Sequence, residues 1–204
     1  MVDSVEQKIQ NVRKWADKVT VIHTVTDLMK FAGLKISQRK FRKLKEQPRT
    51  LTNFFSHAQS ILIILPTEYN AAIAAGKSLQ SLEAELSTMN VTYVDFLNLP
   101  RTKQEFAFYE TIFFSPSDKN RFGVPKEEFL RKVKKKKYDV ALDLNCDFEL
   151  ASAYICKASN AAHRIGFFHQ HAQTFYNIFF TASQRDKKLN QITYDWLTQS
   201  LKMF

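Results

Sequence analysis

The sequence predicts a three-layer α/β domain of Rossmann-like type, with a mainly parallel sheet, over residues 55–204, preceded by a basic helical extension over residues 1–54. Three observations point there. Short apolar runs alternate with amphipathic segments through the second part of the chain, the pattern of βα units whose strands are covered on both faces. A hydrophobic content of 45% in 204 residues is enough for one α/β core. The charge is uneven: residues 1–54 carry 12 Lys/Arg against 5 Asp/Glu, and residues 55–204 carry 18 against 15, so most of the formal +10 lies at the N-terminal end.

Val5, Ile9, Val12, Trp15 and Val19 recur at helical spacing, so residues 4–19 read as an amphipathic helix with Lys8, Arg13, Lys14 and Lys18 on its other face. A second helix is expected over residues 24–32, ending near Gly33, followed by a basic stretch from Lys35 to Arg49 that Pro48 closes. Ile61 to Leu65 reads as a buried central strand stopped by Pro66, and Ala72, Ala75, Leu79, Leu82 and Leu86 give the inner stripe of the next helix. Val91 to Phe96 and Thr111 to Phe114 are the second and third strands. Pro125, with Glu127 and Glu128 behind it, opens a helix that buries Phe129, Leu130 and Val133. Tyr138 to Leu144 is the fourth strand, residues 148–158 a helix, and His163 to Phe167 a fifth strand. Asp186 caps a last helix packing through Leu189, Ile192, Trp196 and Leu201.

Only four residues are glycine, all far apart, so neither a G-x-G-x-x-G fingerprint nor a P-loop can be written and no cofactor is expected. Cys146 and Cys156 are ten apart in a segment read as mostly helical, which separates them by about 15 Å. That is beyond disulfide reach, and a reducing compartment is expected. The first ten residues are polar where a signal peptide is apolar, and the aliphatic run Ile61 to Leu65 is far too short to cross a bilayer. The expected location is cytoplasmic, with a peripheral place at the inner face of the membrane left open.

Two basic segments differ in meaning. Arg131, Lys132 and Lys134 to Lys137 fall at a helix C-terminus, where cations complement the macrodipole. Lys35, Arg39, Lys40, Arg42, Lys43 and Lys45, with Phe41 and Leu44 interleaved, are not explained by helix polarity. They suggest an anionic partner or a membrane surface. His169 and His171 form an H-x-H pair, but two ligands do not make a metal site and none is assigned. Ser152 lacks the nucleophile elbow of a hydrolase.

The residues after the strands carry the chemistry, because open α/β sheets bind ligands at the carboxyl ends of their strands. Thr67, Glu68 and Asn70 follow the first strand, Ser115 and Ser117 the third, and Asn145 and Asp147 the fourth. Together they could line one crevice for a hydroxyl-rich or phosphorylated ligand, with Glu68 or Asp147 as the available base. Asn145 and Asp147 read equally well as turn and helix N-cap residues.

The run Tyr138-Asp-Val-Ala-Leu-Asp143-Leu, a helix with Ser152-Ala153, and Ala162-His-Arg164-Ile-Gly166-Phe167 resembles the N-terminal, acceptor-side domain of heptosyltransferase-type GT-B glycosyltransferases, the family 9 type that builds lipopolysaccharide core. About 30 residues carry the likeness closely, and the βα order extends it over residues 58–204. The departures matter too. Where that family has a Gly-Asp supplying a catalytic base, this chain has Thr67-Glu68-Tyr69-Asn70, leaving only Glu68 as a stand-in, and Cys146 replaces a glycine. The family binds its nucleotide-sugar donor with a second Rossmann domain, and the sequence reaches Phe204 without one. The resemblance implies a catalytically incomplete relative acting as a binding or protein-partner module, glycosyltransferase-like if active at all. The alternatives are a cytoplasmic nucleic-acid-binding protein using residues 35–49 and 131–137, and a small enzyme acting on phosphorylated sugars through Glu68, Asn145 and Asp147.

Overall fold

The computed structural model describes residues 25–42, 50–97, 109–181 and 190–204. The expected helix over 4–19, Lys43, Lys45, the turn at Pro48 and the cap at Asp186 lie outside them. The chain begins with a helix over 25–42 (α1) and continues as β1 (Ser60–Ile64), α2 (Tyr69–Leu79), α3 (Glu83–Leu86), β2 (Asn90–Asp95), β3 (Glu110–Phe113), α4 (Glu127–Val133), β4 (Val140–Asp143), α5 (Leu150–Ala158), β5 (His163–Phe167), β6 (Ile178–Phe180) and α6 (Asn190–Leu201). All six strands run parallel in the order β3-β2-β1-β4-β5-β6, with Ile61 opposite both Val91 and Val140. This is the α/β, Rossmann-like architecture the sequence predicts.

The centre of the sheet explains its apolar runs. Ile61 to Ile64 are all 0% exposed. Side chains alternate across a strand, so Ile61 and Ile63 join the core beneath α2 and α6, while Leu62 and Ile64 join the core beneath α1, α4 and α5. Burying each such side chain contributes roughly 1.5–3 kcal/mol. That two-sided burial fixes register, since a slip of one residue would exchange the two faces.

Several elements differ from the sequence reading. The helix expected to stop near Gly33 runs through it to residue 42, because this glycine answers a close approach. A Cβ there would lie 2.1 Å from the Phe122 carbonyl oxygen. The helix expected from Ala72 to Leu86 is interrupted by a tighter 3₁₀ turn, Gln80–Leu82, where the Ser81 hydroxyl donates to the Ser78 carbonyl at 2.7 Å. Leu79, Leu82 and Leu86 still stay buried. Pro125 does not open α4: it pairs with Lys119 in an isolated antiparallel bridge, and Lys126 is the N-cap. The lysine run mostly lies past the helix, with Lys134 as C-cap bridged to Glu127 at 3.2 Å and Lys136 paired with Glu110. Strand β6 was not expected at all; Asn177 sets it by accepting from the Arg164 amide at 2.7 Å and donating to the Ala162 carbonyl at 3.0 Å. Both cysteines are buried thiols that form no disulfide, but Cys146 sits in a loop outside the helix and donates to the Tyr194 hydroxyl at 3.4 Å.

Gly33→Ala drives its methyl into the Phe122 backbone. We expect a loss of about 1–3 kcal/mol, read as a lower urea midpoint.

Candidate ligand-binding cleft

Strands β1 and β4 are neighbours whose onward connections leave in opposite directions, through α2 to β2 and through α5 to β5. A sheet of this kind opens a crevice at that point, above the strand ends. Here the crevice is a cleft of about 520 Å³ lined by Pro66, Thr67, Glu68, Asn70 and Ala71 from the β1 side, and by Asn145, Cys146, Asp147, Phe148 and Glu149 from the β4 side.

Its floor is a buried polar network centred on Asp143, the last residue of β4. The Asp143 carboxylate is 1% exposed and accepts from the Asn145 amide at 3.0 Å, from Asn145 Nδ2 at 2.8 Å and from the Tyr176 hydroxyl at 2.6 Å. Asn145 then reaches across to the other loop. Its Oδ1 accepts from the Thr67 amide at 2.9 Å and from the Thr67 hydroxyl at 3.2 Å, locking the two strand-end loops together. Burial pushes the Asp143 carboxyl above the usual carboxylate range, against the pull of its hydrogen bonds from Tyr176 and Asn145. Burial and the Asp143 charge likewise push the Tyr176 phenol well up, so it remains a donor.

Gly166 makes this possible. A Cβ on it would meet the Tyr176 ring at 2.8 Å, so only glycine lets that ring lie on β5 while its hydroxyl reaches Asp143. Arg164, 4% exposed, donates to the Phe175 carbonyl at 3.1 Å and the Ala161 carbonyl at 2.8 Å, holding the segment that carries Tyr176.

Both helices that point into the cleft are capped by their own glutamates. Glu68 accepts from the Asn70 amide at 3.0 Å and from the Ala71 amide at 2.7 Å, and Glu149 accepts from the Ala151 amide at 3.5 Å. The residue capping α5 is thus Glu149, while Asn145 serves the loop and Asp147 is exposed.

The structure brings Thr67, Glu68, Asn70, Asn145 and Asp147 into one cleft. Ser115 lines an adjoining hollow of about 210 Å³ that shares Thr67 and Glu149 with it. The Ser115 hydroxyl donates to Asp118 at 2.6 Å and meets the exposed Ser117 hydroxyl at 2.7 Å. Lys35, Arg39, Lys40 and Arg42 lie on α1, and Lys40 donates to the Tyr154 hydroxyl at 2.7 Å. His169 and His171 pack near the Phe148 ring, at 6.3 and 6.1 Å between centroids. Among the described residues no group of three or more His, Cys, Asp or Glu is arranged to hold a metal ion, and no helix is long and apolar enough to cross a membrane. Sequence reasoning passed over Tyr176, which no motif marks, and Glu149, whose signal was a carboxylate directly before the apolar run of α5.

A parallel sheet in this order, with its cleft between the neighbouring strands β1 and β4, is a doubly wound, Rossmann-like α/β domain. Residues 34–193 match a family of unknown function, DUF6913, and the chain belongs to that family. No curated protein sequence matches it. Among solved structures it is similar to the glycosyl transferase family 9 protein from Veillonella parvula DSM 2008, at 15% identity and a TM-score of 0.54. The match covers 74% of this chain and 42% of that one, so the chain spans less than half the length of the enzyme it resembles.

Two outcomes follow from this geometry. An acid whose folded pKa is raised binds more protons folded than unfolded, so its contribution to stability falls as pH rises from about 4 upward. Asp143→Asn should remove that slope, seen as a native-minus-variant difference in denaturation free energy that declines with pH over this range. Glu68→Ala should cost about 1 kcal/mol through the lost α2 cap, measured the same way at neutral pH.

Proposed function

We propose that this chain is a binding or partner protein built on the acceptor-side glycosyltransferase scaffold, catalytically incomplete by itself, whose cleft takes a neutral or amine-bearing, hydroxyl-rich ligand. One observation carries the reading. The cleft lining offers the carboxylates Glu68, Asp147 and Glu149, the Asn70 carboxamide and the Thr67 hydroxyl, with no Lys or Arg among its residues. Helix N-termini are the usual seats of phosphate, and here both are taken by glutamate side chains. A phosphate placed about 4 Å from even one such carboxylate meets a repulsion of roughly 4 kcal/mol at an effective dielectric of 20. This lining speaks against an enzyme acting on phosphorylated sugars.

Incompleteness is supported by Glu68. A general base must be aimed at the proton it removes. Both oxygens of the Glu68 carboxylate face the first amides of α2, where they hold the helix end. The similarity to a glycosyl transferase family 9 structure supports the scaffold.

Amide shifts in a heteronuclear NMR titration test the reading. Glucosamine should move Thr67, Asn70 and Asp147, glucose 6-phosphate should not, and the double variant Glu68→Gln, Asp147→Asn should narrow that preference by roughly tenfold or more. Preference for the phosphate in the native chain, or robust sugar transfer from a nucleotide-sugar by the purified chain, would refute it.

A further inference from the structure

Helix α1 has two faces of different character. Gly33, Leu34, Ser37 and Phe41 are turned inward and buried, with the Phe41 ring 4.7 Å from Tyr154 and 5.9 Å from Phe175 between centroids. At about 100° per residue, Val25, Leu28, Phe31 and Ile36 fall on the opposite side together with Lys35, Arg39 and Arg42. Those four apolar residues are 45%, 67%, 52% and 54% exposed. Over residues 25–42 the sequence holds five Lys/Arg and one acid, Asp27. Lys35 Nζ stands 5.2 Å from the Phe31 ring centroid, so cation and apolar group share one surface.

We propose that this outward face of α1 docks on an anionic lipid surface, lying in the plane of the interface. Two properties select that partner. Cations alone would serve a nucleic acid equally well, but four exposed aliphatic and aromatic side chains gain nothing against a phosphate backbone. A bilayer with acidic headgroups uses both: the apolar side chains enter the acyl boundary, and Lys35, Arg39 and Arg42 lay their stems along it with their charges in the headgroup layer. The inward face is firmly packed, so the helix would reach the lipid as part of a rigid body. This inference stands independently of what the cleft binds.

The test is co-sedimentation of the full chain with vesicles of pure phosphatidylcholine and with vesicles containing phosphatidylglycerol. Binding should appear with phosphatidylglycerol, be absent with phosphatidylcholine alone and weaken as salt is raised. Charge reversal at Lys35, Arg39 and Arg42 together should weaken it roughly a hundred-fold or more. Leu28→Ser with Phe31→Ser should weaken it at least tenfold while leaving the thermal midpoint unchanged. Reversal of Lys132 and Lys135, which line a hollow along β3 with Glu110 and Phe113, should have little effect. Absence of vesicle binding overturns the proposal. So does binding that ignores the Leu28 and Phe31 changes, as would oligonucleotide retention that depends only on the cations. A fall in stability or a change of oligomeric state in the Leu28 and Phe31 variant, with no lipid binding by the native chain, would assign this face to another part of the chain or to a second copy.

Discussion

A single buried carboxylate organises the strand-end loops of this molecule. Asp143 ends β4 in the protein interior, where an unsatisfied charge would cost several kcal/mol. Its satisfaction dictates the surroundings. Asn145 must turn back to donate through both its backbone and its side chain, and Tyr176 must arrive from beyond β5 to donate from the other side. Because the Asn145 oxygen is then engaged by Thr67, the loop after β1 is fixed by the same network. The cleft wall is therefore positioned by hydrogen bonds that a ligand does not supply. Asn145, which in the sequence looks like a ligand-binding amide, is largely consumed by structure.

The charge pattern follows from where carboxylates were placed. Glu68 and Glu149 neutralise the positive ends of α2 and α5 from within the chain, leaving the cleft acidic. Among the described residues the cations gather mainly on α1 and around the end of α4, while Lys119 lines the adjoining hollow. A net charge of +10 thus describes the whole chain while having the wrong sign for its cleft. Two surfaces of opposite charge therefore lie on one domain, and each presents its own local potential to solvent.

The central strands were legible because they are buried on both faces and read as unbroken apolar runs: β1 shows this plainly, and β5 was found with its bounds intact. Gly33 misled because glycine has more than one use. Next to a polar, basic stretch it looks like a helix end, and only the approach of the Phe122 backbone shows that it is a contact point. Strand β6 is three residues long, at a sheet edge, with exposure at each position, so it has neither a buried run nor clear alternation. The cleft residues could be proposed from the strand-end rule. Their partition into caps, linkers and open groups could not, since Tyr176 meets Asp143 across 33 positions and no local pattern encodes such a meeting.

The same network explains what the family-like motif is for. The Asp143 strand end and the Arg164-Ile-Gly166-Phe167 segment are separate in sequence, yet Tyr176 binds them into one unit: its ring needs the bare backbone of Gly166, and its hydroxyl needs Asp143. Arg164 secures the carbonyls on either side of that ring's approach. Each residue of the motif has a packing or hydrogen-bonding duty that is complete without substrate. A motif of this kind can persist wherever the sheet persists, whether or not chemistry is retained above it. Its presence is therefore strong evidence for the scaffold and weak evidence for transfer activity. In the loop after β1, Glu68, one of the two carboxylates the sequence offers as a base, serves instead as the cap of α2.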